Sequence, residues 1–127
     1  MTIVGIGTDI VEVERIAKLL AERGERGRNA LFTALEADYC TRFPNPELHF
    51  AGRFAAKEAV AKALGTGFSK GVTVRGIEIL ANGEGQPYVA LSGAASAVAA
   101  ERGITRILVS ISHEAVYAVA FAVALAE

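Results

Sequence analysis

The chain has 127 residues, enough for one domain with a real core but small for an enzyme acting alone. An apolar fraction of 52% and a mean hydropathy of +0.35 are high for a soluble monomer of this size, which points to apolar surface buried against other copies of the chain. Thirteen basic against fourteen acidic residues give a net charge of −1 and argue against a general nucleic-acid footprint, so any polyanion site must be local.

The N-terminal stretch TIVGIGT is β-rich and leads to Asp9. It has no basic region and meets a charge too early for a secretory signal. VEVERIAKLLAERG follows with Ile16, Leu19 and Leu20 at helical spacing, and Gly24 is the expected stop. Thr33 to Glu36 reads T-A-L-E, a capping box that starts a short helix through Tyr39 and Cys40. Cys40 is the lone cysteine, which excludes an internal disulfide framework and fits a reducing compartment; a buried, inert thiol is expected. Pro44 and Pro46 end that helix, and a longer one runs from about Glu47 to Leu64.

GTGFSKG then reads as a loop, VTVRGIEIL as a strand, ANGEGQP as a turn and PYVAL as the second strand of a hairpin. SGAASAVAAERG is a helix with Ser92 as cap and Gly103 as stop. RILVSIS and YAVAFAVAL close the chain as two strands around His113 and Glu114. The order βααα(ββ)α(ββ) predicts an α+β fold with a mainly antiparallel sheet and packed helices, as one domain over residues 1–127. The last strand alternates Tyr117, Val119, Phe121, Val123 and Leu125 with four alanines. Neither face is polar, so both are expected to be buried, the alanine face on a helix of the same chain or on a neighbouring subunit. The longest uncharged apolar run, residues 115–126, is shorter than the roughly 20 residues of a spanning helix. The expectation is a cytoplasmic protein without a membrane partner.

The alanine-rich helix carries Arg53, Lys57, Glu58 and Lys62. At ~100° per residue Glu58 and Lys62 share one arc, with Arg53 and Lys57 on the other side. A surface i,i+4 pair is one reading of Glu58 and Lys62. The other is a metal–phosphate site, in which a carboxylate holds Mg²⁺ and cations neutralise phosphate. That second reading needs another acid, for which Asp9 is the best candidate; the alternative for Asp9 is a helix N-cap. GIGTDI is no dinucleotide fingerprint, because Ile10 stands where a glycine is required, and no Walker-type loop exists. His113, in S-I-S-H-E, is a structural or exposed hairpin residue, or with Ser112 a donor to phosphate oxygens. A Ser/His/Asp triad lacks its nucleophile elbow. His49 has no motif and reads as surface.

GIGTDIVEVERI, LFTALEADYC, AGRFAAKEAVAKALGTG, IEILANGEGQPYVAL and SISHE occur in order across essentially the whole chain. This set closely resembles the holo-[acyl-carrier-protein] synthase family, the small bacterial type of 4′-phosphopantetheinyl transferase. The resemblance implies a homotrimer that uses Mg²⁺ and coenzyme A (CoA). A serine hydroxyl of apo acyl carrier protein attacks the β-phosphate of CoA, phosphopantetheine moves to the serine, and 3′,5′-ADP leaves, in support of fatty acid biosynthesis. It assigns the metal to Asp9 and Glu58, help in deprotonating the serine to Glu58 (directly or through a bound water), and phosphate neutralisation to Lys62. Arg53, Ser112 and His113 become phosphate contacts, and Gly85 and Pro87 a turn near the nucleotide. Gln86 departs from the basic residue often found in relatives. Arg15 matches a position that binds acidic carrier proteins. The resemblance to fused two-copy relatives implies that Ser112, His113 and the Gln86–Pro87 turn meet the acids of a neighbouring subunit. A non-enzymatic carrier or nucleotide-binding module, and a Mg²⁺-dependent phosphotransferase with another donor, are the alternatives.

Overall fold

In the computed structural model, which describes residues 1–127, the nine elements follow the expected order. They are β1 (Thr2–Glu12), α1 (Val13–Leu31), α2 (Ala34–Cys40), α3 (Pro46–Leu64), β2 (Ile77–Ala81), β3 (Pro87–Leu91), α4 (Gly93–Glu101), β4 (Arg106–His113) and β5 (Tyr117–Ala126). The fold is α+β with antiparallel pairing throughout: a three-stranded sheet β1-β5-β4 and a separate β2-β3 hairpin.

Helix α3 is the centre of the molecule. Thirteen of its nineteen residues are buried, among them Ala51, Ala55, Ala56, Ala59 and Ala63. A helix buried on most sides needs no apolar stripe, which is why its alanines are not arranged as one. Small side chains also let the sheet come close. Ala118, Ala120, Ala122 and Ala124 of β5 are fully buried in the core cluster that includes the α3 alanines. A Cβ on Gly5 or Gly7 of β1 would run into the Ala63 or Ala59 carbonyl oxygen of α3. Those two glycines are what lets β1 lie on the helix.

The alanine face of β5 therefore packs within the chain, as the first of its two expected readings held. The expectation that both faces are buried is corrected. Phe121 is 55% exposed and Tyr117 47%, and beside them on β1 Ile6 and Ile10 stand largely in solvent. The register pairs Thr8 with Phe121, Ile10 with Val119 and Ile6 with Val123, so one outward face collects these apolar side chains.

Three local expectations also change. Gly24 does not stop α1 but kinks it, with φ 61° and ψ −154°, and the helix resumes to Leu31. The second strand begins only at Ile77, because residues 73–77 form a turn in which Gly76 N donates to Thr73 Oγ1 and Ile77 N to Val74 O, a carbonyl that also accepts from Lys57. Asp9 is not an N-cap: it sits inside β1, opposite Ala120. The capping box forms as read, with Thr33 and Glu36 each bonding the other's backbone. Cys40 is buried and free; burial above all, against the opposing charge of Arg53, pushes its thiol up to about 12, so it is inert.

Candidate active site

Arg53, Lys57, Glu58 and Lys62 of α3 separate by environment. Lys57 is fully buried and donates to Glu36 Oε1 at 2.8 Å, Val74 O at 3.0 Å and Ile77 O at 2.7 Å. Glu36, equally buried, also accepts from Thr33 N and from Ile79 N. Burial pushes the Lys57 ammonium down, and Glu36 opposes that. This pair ties α2, α3 and β2 together and leaves the other three charges for the surface of the site.

One group forms where α3 crosses β1. Asp9 projects from the inner face of β1, held there by the backbone contact that Gly7 allows. Lys62 reaches the free carbonyl of Thr8 at 2.9 Å and Asp9 Oδ1 at 3.4 Å; β1 is an edge strand, so that carbonyl has no sheet partner to its outside. Asp9 Oδ2 is buried with no hydrogen-bond partner. Glu58 lies against Asp9, and its carboxyl is raised to about 7, first by burial, then by the neighbouring Asp9 carboxyl; Arg15 and Lys62 oppose. Two carboxylates pressed together, with one Asp9 oxygen orphaned and the other held only by the long Lys62 contact, suit a divalent cation. No third His, Cys, Asp or Glu joins them. Such a pair fits Mg²⁺, which keeps several waters and takes further oxygens from substrate phosphates. Arg15 itself is exposed on α1, its guanidinium 5.9 Å from the Phe54 ring centre, and it lines a groove with Glu12, Glu14, Lys18, Glu22 and Arg23.

A second group gathers around the N-terminal half of α3. Arg53 is 5% exposed, lies 4.2 Å over the Tyr39 ring, and keeps its Nε without a partner. With His113 at the end of β4, Gly85 and Pro87 from the β2–β3 turn, and His49, it lines a cavity of about 160 Å³. Gly85 holds φ at 83°, a left-handed turn that favours glycine. Gln86 is exposed and instead bonds Asn82, which organises the turn.

The structure thus brings Asp9, Glu58 and Lys62 together, and separately Arg53, Gly85, Pro87 and His113. Ser112 joins neither group within one chain. It alternates with His113 along β4 and lies on the outward face, opposite Val119. His49, read from sequence as surface, is half-buried in the second group; its i,i+4 spacing from Arg53 is the signal that could have found it.

Residues 5–122 match the model of the 4′-phosphopantetheinyl transferase superfamily. The chain belongs to this family. It is 50% identical over 119 residues to the holo-[acyl-carrier-protein] synthase of Protochlamydia amoebophila, covering 94% of this chain and 95% of that one. The crystal structure of the Neisseria meningitidis synthase superposes with a TM-score of 0.88 at 39% identity, over 98% and 99% of the two chains. The Bacillus anthracis synthase, solved in complex with CoA (3′,5′-ADP), gives 0.78 at 35% identity over the full length of both. No helix of this transferase is long and apolar enough to cross a membrane.

Proposed function

We propose that this protein is a holo-[acyl-carrier-protein] synthase: it transfers 4′-phosphopantetheine from CoA to a serine of apo acyl carrier protein and releases 3′,5′-ADP. The near-full-length identity of about half to a synthase carries this reading, since it spans both groups of site residues. The CoA complex of the Bacillus anthracis relative supports the donor.

Asp9 and Glu58 would hold Mg²⁺, and the metal, when bound, neutralises the pyrophosphate and the charge that grows on its leaving oxygen. Lys62 stands beside the acids with three donors and adds a fixed positive charge for the same phosphates. The serine oxygen forms its bond to the β-phosphorus as the bridging P–O bond to the adenosine side breaks. The serine proton must leave in that step. Glu58, beside the metal, would take it directly or through a bound water. Arg53 and His113 bind phosphate, and Gly85 and Pro87 shape the nucleotide's edge of the cavity. Arg15, exposed and one step from Glu58, meets acidic side chains of the carrier protein.

We further propose a homotrimer with each active site between subunits. The exposed face of β1 and β5 offers the apolar surface for it, and Lys62 lines the same groove as Ile6, Phe121 and Val123, so a neighbour seated there lies beside the acids. Ser112, on that outward face, would then reach the neighbour's site. This is one transferase domain over residues 1–127, acting in the cytoplasm.

The test is mass spectrometry of apo acyl carrier protein after incubation with the enzyme, CoA and Mg²⁺. Gain of one phosphopantetheine on the serine supports the synthase. Binding without mass gain points to a non-enzymatic module, and transfer from another donor but not from CoA to a different phosphotransferase.

A further inference from the structure

His49 sits on α3 one turn before Arg53, so both project to the same side of the helix. Its ring is clamped rather than free: it stacks on Phe43 at 3.6 Å and 17°, and meets Tyr39 edge-on at 6.2 Å. The His113 ring stands 5.0 Å away at 76°, across the same cavity. About 160 Å³ is room for roughly five waters at ~30 Å³ each, enough for one phosphate group. Every polar side chain lining it is a donor in at least one form, and no carboxylate is among them. Arg53, 95% buried, has an unpartnered Nε there. Without a carboxylate the cavity lacks the hard ligands that Mg²⁺ takes. It is set apart from the Asp9–Glu58 pair and suits a phosphate carried elsewhere on the nucleotide than the pyrophosphate. A monoester suits it best, with three terminal oxygens and a dianionic charge above a second pKa of about 6.

We infer that His49 is a further substrate-binding residue, which donates from its imidazole, together with Arg53 and His113, to the phosphate monoester of the nucleotide. The inference rests on the proposed reading of CoA as donor, whose one phosphate monoester, on the 3′ carbon, is retained in 3′,5′-ADP and absent from 5′-AMP. In the free protein burial, then His113 and Arg53, hold the His49 imidazole below its usual value, and Glu47 is the one group that opposes. Tyr39 from α2 and the Gly85–Pro87 turn bring no ammonium, guanidinium or carboxylate to the cavity. A dianion arriving among these groups reverses the balance and favours the imidazolium. Binding thus takes up a proton at His49 and is tighter at lower pH.

Calorimetric titration of the full-length protein with 3′,5′-ADP and with 5′-AMP, at pH 6.5 and 8.5, tests this. His49→Gln should weaken 3′,5′-ADP binding about tenfold at pH 6.5, the order of one charge-assisted hydrogen bond, and much less at pH 8.5. 5′-AMP binding should hold within twofold. Proton uptake, read from buffers of different ionisation enthalpy, should fall in His49→Gln, and His49→Arg should bind tightly at both pH values. Wild-type affinity for 3′,5′-ADP in His49→Gln, or equal loss for both nucleotides, overturns the role of His49. If Arg53→Ala and His113→Ala also bind 3′,5′-ADP normally, the cavity is not the nucleotide's, and the assignment of the substrate site falls with it.

Discussion

Lys57 Nζ lies 2.8 Å from Glu36 Oε1, and neither side chain has any contact with water. The pair is fully bonded: the ammonium has three acceptors, and both carboxylate oxygens take backbone N–H groups as well. Removing one partner leaves a buried charge alone. Lys57→Met should cost about 3 kcal/mol in urea unfolding, the lower end for breaking a buried pair. Lys57→Met with Glu36→Gln should recover part of that, because Gln removes the lone buried charge and keeps one of the two accepted N–H bonds. Strictly additive losses would show that the two residues are not coupled.

Much of this fold is legible in the sequence, and the reasons for the rest are specific. Element order follows from glycine, proline and period-two signals that act locally. The capping box is likewise a four-residue device and forms where it is written. Three things depend on tertiary contact and are not so legible. Asp9 reads as a cap only until β5 pairs with it and carries β1 on to Glu12. The outward face of β5 is apolar in sequence, yet within one chain nothing covers it. The role of Lys57 depends on Glu36, twenty-one residues away, which no spacing rule links to it. At the candidate site the acids stand out because two carboxylates need a shared reason. His49 does not, because a lone histidine on a helix is indistinguishable from a surface one until Arg53 and His113 converge on it.

Asp9 and Glu58 set the metal and pH behaviour. In the folded protein Glu58 holds its proton to about 7, against an unperturbed 4.5. The folded state binds the proton more tightly, so stability is lost as pH rises from about 4.5 through 7. In EDTA the melting temperature of wild type should therefore fall, relative to Glu58→Gln, across that window. Mg²⁺ at pH 8 should raise it again in wild type but not in Glu58→Gln or Asp9→Asn, since a ligand stabilises only the state that binds it. Asp9→Ala and Glu58→Ala should abolish transfer while keeping the fold. Near-normal turnover of either variant would remove the metal assignment.

Arg15 is exposed and flanked by acidic residues in its groove, so its charge is not needed for folding. Arg15→Glu should raise KM for the carrier protein at least tenfold more than KM for CoA, the order expected for charge reversal at a docking contact. Added salt should weaken carrier binding in wild type and less so in the variant. Arg15 also opposes the rise of Glu58, so kcat will move too; the ratio of the two KM changes is the discriminating reading. Equal changes in both would mean that α1 has shifted.

Within one chain the acids and the histidine cavity form separate groups on α3, and Ser112 reaches neither. Lys62 opens onto the exposed apolar face, which places the acids at the edge of the surface that a second copy would cover. If the site is shared, one subunit supplies Asp9, Glu58 and Lys62 and its neighbour supplies Ser112, His113 and the Gln86–Pro87 turn. Glu58→Ala and His113→Ala should each be impaired as pure oligomers. In mixed oligomers some interfaces pair an intact acid side with an intact histidine side. In a randomly mixed population about a quarter of the interfaces should be complete, so co-expressed variants should regain about a quarter of wild-type kcat, with a site that behaves normally toward CoA. Mixed oligomers that form, as seen by native mass spectrometry, but stay as inactive as the parents would place both groups in the site of a single subunit.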